Sequence, residues 1–182
     1  MATLFLMCGL PGAGKTTLAK RLERERPALR LSPDEWIAPL LRDAADTDER
    51  DRLRAPVESL QWEVAVRALA LGVDVVLDWG FWSREERESY RARAEALGAR
   101  VEVRFLDAGR DELRARLSRR NTDLPPGTFA VTEAELDRWR AWFEPPSAEE
   151  IAVQPGGGSP SDGGLTPTKS ICGEDGPSGR PR

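Results

Sequence analysis

Apolar residues along this chain fall into short runs separated by longer amphipathic stretches. Thr3 to Cys8 (TLFLMC) is one unbroken apolar run, the pattern of a strand buried on both faces. GLPGAGKT follows it, then a helical stretch, TLAKRLERE, that stops before Pro27. Ala28 to Ser32 predicts a second short strand leading into PDEW. The polar stretch from Asp34 to Arg54 has no clear period, and Pro39 breaks any long helix there. Val57 to Leu71 has helical periodicity and ends at Gly72, a C-terminal cap. Val73 to Leu77 is the clearest strand, with Asp78 at its C-terminal end. Ser83 to Leu97 reads as a charged amphipathic helix opened by a Ser83/Glu86 capping box and closed by Gly98. Arg100 to Leu106 alternates like a strand with one wetter face, and Asp111 to Arg120 is an arginine-rich helix. After the loop NTDLPPGT comes a helix from Thr132 to Phe143, with Glu135 three residues after Thr132, and Glu149 to Val153 reads as a final edge strand.

Strands alternating with helices predict an α/β fold: a parallel sheet of about five strands with helices on both faces. Such sheets bind ligands at the C-terminal ends of their strands. Those ends carry Gly9 to Thr16, Asp34 and Asp78, three separate stretches that the topology brings to one rim. There is no internal repeat.

Composition alters this picture in three places. The last stretch, from about Gln154, is rich in Gly, Pro and Ser with almost no large apolar side chains. It cannot offset the entropy of ordering, so residues 1–153 are expected to form the folded domain and 154–182 a disordered tail. There is no histidine, which removes histidine general bases, Ser–His–Asp triads and His-ligated metals. Cys8 and Cys172 make neither a disulfide framework nor a zinc site, which fits a reducing cytoplasm. A net charge of −4 with interspersed signs gives no polyanion-binding footprint. The N-terminal apolar run is too short for a membrane span and lacks the flanks of a signal peptide.

Basic charge is carried almost wholly by arginine, so Lys15 stands out; the other lysines are Lys20 and Lys169. Lys15 sits in Gly9-Leu10-Pro11-Gly12-Ala13-Gly14-Lys15-Thr16, which fits G-x-x-x-x-G-K-[ST] at every specified position, after a strand and before a helix. In that pattern glycines curl the backbone so that successive N–H groups, here from Gly9, Gly12, Ala13 and Gly14 through Lys15, Thr16 and Thr17, cradle phosphate oxygens at a helix N-terminus. Lys15 then supplies a point charge to the β- and γ-phosphates, and the Thr16 hydroxyl is a Mg²⁺ ligand. The loop implies a nucleoside triphosphate, and motors, switches and kinases all use it.

Asp34 stands at the end of the second strand and either takes the proton of an attacking hydroxyl or caps the helix that follows. Asp78 stands where a magnesium-directed or substrate-orienting carboxylate belongs, or is a plain strand-end residue. Arg116 and Arg120 share a helix face next to a loop with Pro125, Pro126 and Gly127, which reads as a mobile cover. They stabilise charge on the transferred phosphoryl group, or line a solvated face paired with acids such as Glu112. Trp36, Trp79, Phe81 and Trp82 lie beside these positions and either line an apolar acceptor pocket or pack the core; Trp62, Trp139 and Trp142 read as core or helix packing.

Taken together, GLPGAGKTT, LSPDEW, VVLDWGFWSREER and VRFLDAGRDELRARLSRRN resemble the P-loop kinases that include polynucleotide 5′-hydroxyl kinases, zeta-toxin and chloramphenicol phosphotransferase kinases, and a bacterial branch of AAA-type ATP-binding kinases. The resemblance spans about residues 3 to 145. It implies a nucleotide-kinase-like P-loop NTPase fold using ATP and Mg²⁺. It also implies Asp34 as general base, Lys15 and Thr16 as the phosphate-loop pair, Asp78 as the carboxylate after the third strand, and Arg116 and Arg120 as lid arginines. Polynucleotide kinases carry an arginine three residues after the base, where this chain has Ile37. The leading expectation is therefore an ATP-dependent kinase acting on a hydroxyl of a small-molecule acceptor. A polynucleotide or nucleotide 5′-hydroxyl kinase comes second, and an ATP-binding regulator that phosphorylates nothing comes third.

Overall fold

The computed structural model describes residues 1–41 and 46–152; the expected tail lies outside them. Among the described residues four strands, β1 (Thr3–Cys8), β2 (Ala28–Leu31), β3 (Asp74–Gly80) and β4 (Arg100–Phe105), form one sheet in the order β2-β3-β1-β4, with every pair parallel.

Period two explains why β1 and β3 are apolar throughout. Phe5, Met7 and Val76 face one side, against Ala19 and Leu22 of α1 (Lys15–Glu25). Leu4, Leu6, Cys8, Val75 and Leu77 face the other, with Trp62, Ala65 and Leu69 of α3 (Thr47–Ala70) and Ala94 of α4 (Arg84–Glu95). The same period sets the chemistry at the end of β3. Asp78 shares the α1 side with Val76, whereas Trp79 joins Leu77 on the α3 side.

The expected strand at 149–153 is not formed. Ser147 and Glu150 make a reciprocal capping box, and Ala148–Ile151 (α7) is helical; Val153 lies outside the described residues. The sheet therefore has four described strands where about five were expected. Helix α3 begins at Thr47 and runs through Pro56, well before the expected Val57. Proline forfeits one backbone bond and disfavours a preceding helical residue. Asp46 offsets this at the N-terminus by accepting from the Glu49 N–H at 2.8 Å, and burial of Val57, Trp62, Ala65 and Leu69 anchors the rest. Between β2 and α3 a short helix, α2 (Pro33–Ile37), runs into a 3-10 turn at Ala38–Leu40. Helices α5 (Arg110–Thr122) and α6 (Glu133–Trp142) cover the remaining flank, where Leu113, Leu117 and Leu136 pack on Leu10 and Ala13. Among the described residues no helix is long and apolar enough to cross a membrane.

Candidate active site

The turn from β1 into α1 is shaped by close backbone approach. Gly9 has φ +143°, and a Cβ there would sit 2.4 Å from the Leu106 carbonyl oxygen at the end of β4. Its N–H donates to the Gly80 carbonyl at 3.0 Å, so the loop is sewn to the ends of both neighbouring strands. Gly9→Ala is expected to destabilise the fold by about 2–4 kcal/mol, from an unfavourable φ and a backbone clash that no rotamer relieves. Denaturant unfolding measures this; a change under about 0.5 kcal/mol would contradict the geometry.

Helix α1 starts on Gly14, in the left-handed conformation, with no side-chain cap and no acid in its first turn. Each other α-helix of the described residues carries acidic side chains in its first turn. The N–H groups of Lys15, Thr16 and Thr17 thus open α1 without intrahelical acceptors, at the positive end of its dipole. Gly12 and Ala13 pack beneath α5, and Arg116 of α5 donates to their carbonyl oxygens at 3.3 and 3.5 Å while also bonding Glu112.

Lys15 turns back, its Nζ donating to the Leu10 carbonyl at 2.9 Å. Burial pulls its pKa down to about 8, against the opposing pull of Asp78 and Asp34. Asp78 is buried, its side chain 2 % exposed. Burial raises its pKa, while Lys15, a hydrogen bond from Thr16 and the charge of Arg30 oppose that rise. Asp78 Oδ2 and Arg30 NH1 lie 3.8 Å apart, near enough to attract but too far to hydrogen-bond, so each buried atom lacks a hydrogen-bond partner. Strand β3 continues two residues past Asp78 to Gly80, so Asp78 lies inside the strand and not in a turn.

Asp34 occupies the first turn of α2, where Ser32 is the N-cap, so it does not serve as the cap. Its side chain is 40 % exposed. Arg54 of α3 donates to its Oδ1 at 2.5 Å. Arg120 of α5 is half-buried; its NH2 donates to the Phe129 carbonyl at 3.0 Å, while its Nε is buried without a partner. Burial lowers its pKa, with the charge of Asp34 opposing. The charge of Lys15 is felt by Asp78, and those of Asp34, Asp78 and Arg120 by Lys15, while Asp34 also acts on Arg120 and Asp78, so these side chains gather at a single rim.

The segment expected to be a mobile cover packs against α2, α3 and α5. Gly127 packs against Glu35, where a Cβ would lie 2.8 Å from Cγ and 3.2 Å from Cα. Phe129 fills a socket made by Ile37 and Val57, with the Arg50 guanidinium 5.6 Å from its ring centre. Asn121 exchanges two hydrogen bonds with the Val131 backbone. Ile37 is thus sealed under the cover and faces no acceptor.

The aromatic residues divide. Trp79 and Phe81 are buried core, their rings stacked at 5.7 Å, which corrects the pocket expectation for these two. Trp36 is 39 % exposed. Trp82 donates to the Gly9 carbonyl at 3.3 Å and lies against Trp139 at 5.4 Å, bracing the phosphate loop. Sequence reasoning missed Arg30 and Arg54. Arg30 had one legible signal, a charge inside a strand; its NH2 donates to both Glu35 carboxylate oxygens at 2.8 Å, and its Nε donates to Glu23 at 3.2 Å. Arg54 had none, since the helix carrying it was obscured by Pro56.

The sequence profile of AAA_33, described as an AAA domain, matches residues 4–146, which span the phosphate loop, both carboxylates and the covering segment. The chain belongs to this family. Solved structures share this α/β fold. Kti12 from Chaetomium thermophilum, in complex with ADP-AlF3, is 17 % identical with a TM-score of 0.60, over 80 % of this chain and 82 % of that one. A candidate kinase from Chloroflexus aurantiacus is 20 % identical with a TM-score of 0.64, over the same shares. A sugar kinase from Janibacter sp. is 24 % identical with a TM-score of 0.52, over 82 % of each chain. Among curated proteins no relative matches.

Proposed function

We propose that this AAA_33 domain is a kinase that transfers the γ-phosphoryl group of ATP to a hydroxyl of a small-molecule acceptor. The observation that carries this reading is the division of labour between two carboxylates at one rim: Asp78 is buried and feels the charge of Lys15, and Asp34 is exposed. ATP·Mg²⁺, when bound, supplies the phosphoryl group and a divalent charge. The residues suit it. Asp78 Oδ2 and Arg120 Nε are buried polar atoms without hydrogen-bond partners, as a site for a metal ion and a polyanion leaves them. Among the described residues no cluster of three acidic or cysteine side chains could hold a metal unaided. That fits Mg²⁺, which is held by one or two protein groups together with substrate phosphates and water. Thr16 and Asp78 would hold it, directly or through water.

On this reading Lys15 leaves the Leu10 carbonyl for the phosphates, and Arg120 and Arg116 spread the charge that develops on the moving group. Asp34 accepts the proton of the acceptor hydroxyl, since an exposed carboxylate can be reached by that group and a buried one cannot. A phosphate-bearing acceptor would need an uncommitted cation beside Asp34, and Arg120, whose charge reaches Asp34, is on this reading turned to the moving phosphoryl group. Ile37 is sealed under Phe129 and Arg54 is already paired, which favours a small acceptor over a polynucleotide.

The test is a transfer screen with labelled ATP against nucleosides, sugars, aminoglycosides, other hydroxylated metabolites and 5′-hydroxyl oligonucleotides. Label is expected on a small hydroxyl compound. Label on oligonucleotides alone would favour the polynucleotide reading. Slow hydrolysis with no acceptor labelled would favour an ATP-binding regulator.

A further inference from the structure

Helix α3 brings a guanidinium to Asp34 from a separate element. Arg54, Glu58 and Gln61 are spaced i, i+4 and i+7, so they form one stripe of that helix. Arg54 NH2 donates to Asp34 Oδ1 at 2.5 Å, and Arg54 NH1 lies 3.6 Å from Glu58. Gln61, fully buried at the inner end of the stripe, accepts from the Trp79 indole N–H at 3.0 Å and ties α3 to the residue after Asp78. Arg54 is itself mostly covered, its side chain 19 % exposed, whereas Asp34 reaches solvent.

We infer that Arg54 is a positioning residue for Asp34, holding Oδ1 so that Oδ2 is the oxygen turned to the attacking hydroxyl; this rests on the reading of Asp34 as general base. A carboxylate on a short side chain turns easily about its last torsion, which has broad wells. A charge-assisted bond from a planar guanidinium restricts that turn, provided the guanidinium is itself held. Glu58 and the packing of α3 on the sheet hold it here. A guanidinium committed to two of the protein's own carboxylates orients the base and does not act as a hook for the acceptor.

The test needs no knowledge of the acceptor, because water can take its place. Inorganic phosphate release from ATP·Mg²⁺ alone is measured for the full chain carrying Arg54→Met, Arg54→Lys, Asp34→Asn and the double variant Arg54→Met/Asp34→Asn, with nucleotide affinity measured separately. Arg54→Met is expected to lower the turnover rate about 10- to 100-fold while ATP affinity changes little. The double variant is expected to be no slower than Asp34→Asn, because a residue acting through another loses its effect once that other is gone. Arg54→Lys, which keeps the charge without the planar fork, is expected to fall between Arg54→Met and the unaltered protein. It also gives a reading should Arg54→Met fail to fold. An unaltered rate in Arg54→Met, losses that multiply in the double variant, or full rate in Arg54→Lys would each overturn the positioning role. If Asp34→Asn alone had no effect, the assignment of the base would fall and this inference with it. If Asp34→Asn were slow and Arg54→Met were not, the inference alone would fail.

Discussion

Replacing Lys15 by alanine is expected to abolish ATP turnover and to weaken ATP binding by about a hundredfold. The size follows from its setting. Lys15 is the cation at the head of α1, facing Asp78 and Asp34, and its Nζ now spends a hydrogen bond on the Leu10 carbonyl. A bound triphosphate would offer it a charged partner, and hydrogen bonds to charged groups are the strong ones. Alanine removes that partner and leaves the two carboxylates opposing the incoming phosphates. Titration calorimetry with ATP·Mg²⁺ measures the loss; affinity within about threefold of the unaltered protein would show that the loop holds nucleotide without its lysine.

The same lysine predicts two pH dependences of opposite sign. Its pKa is about 8 in the folded protein against the ordinary 10.5 of a lysine, so between these values the unfolded chain binds more protons. Stability of the nucleotide-free protein should therefore rise with pH across about 8 to 10.5 as far as Lys15 alone is concerned. ATP affinity should fall over the same range, because only the charged form attracts phosphate. Paired measurements of unfolding and binding from pH 7 to 10 check both signs.

Asp34→Asn is expected to slow phosphoryl transfer at least about 10²-fold while leaving ATP binding nearly intact. Asparagine keeps the shape and can still take a hydrogen bond from Arg54, but it cannot accept a proton at neutral pH. Asp34 lies outside the phosphate loop, at the exposed start of α2, so the donor side should be unmoved. Single-turnover transfer compared with nucleotide affinity separates the two. Full transfer by Asp34→Asn would require another base, and Asp78, buried from solvent, is poorly placed to be it.

Local patterns along the chain were enough for the order of most elements and for the position of the glycine-rich loop. An unbroken apolar run followed by a glycine-rich turn and a helix start leaves few other arrangements, and β1, the loop and α1 lie where that pattern puts them. Asp34, Asp78 and the Arg116/Arg120 pair follow from strand ends and a helical spacing, both of which are local regularities. Where local signals competed, the reading slipped. Ser147 and Glu150 form a capping box in a stretch whose apolar residues suggested a strand. Pro56 concealed the first part of α3, whose burial against the sheet carries it through the proline.

The sequence by itself determined a parallel α/β fold with a glycine-rich loop between β1 and α1, because period and turn chemistry act between near neighbours; the carboxylates expected at strand ends lie one inside β3 and one in the first turn of α2. Tertiary structure alone decided which carboxylate is exposed, that Ile37 is closed under Phe129, that Trp79 and Phe81 belong to the core, and that Arg54 meets Asp34. Each of these depends on two distant segments meeting at a particular distance and depth. Burial and charge pairing are properties of that meeting, so no local window of the chain contains them.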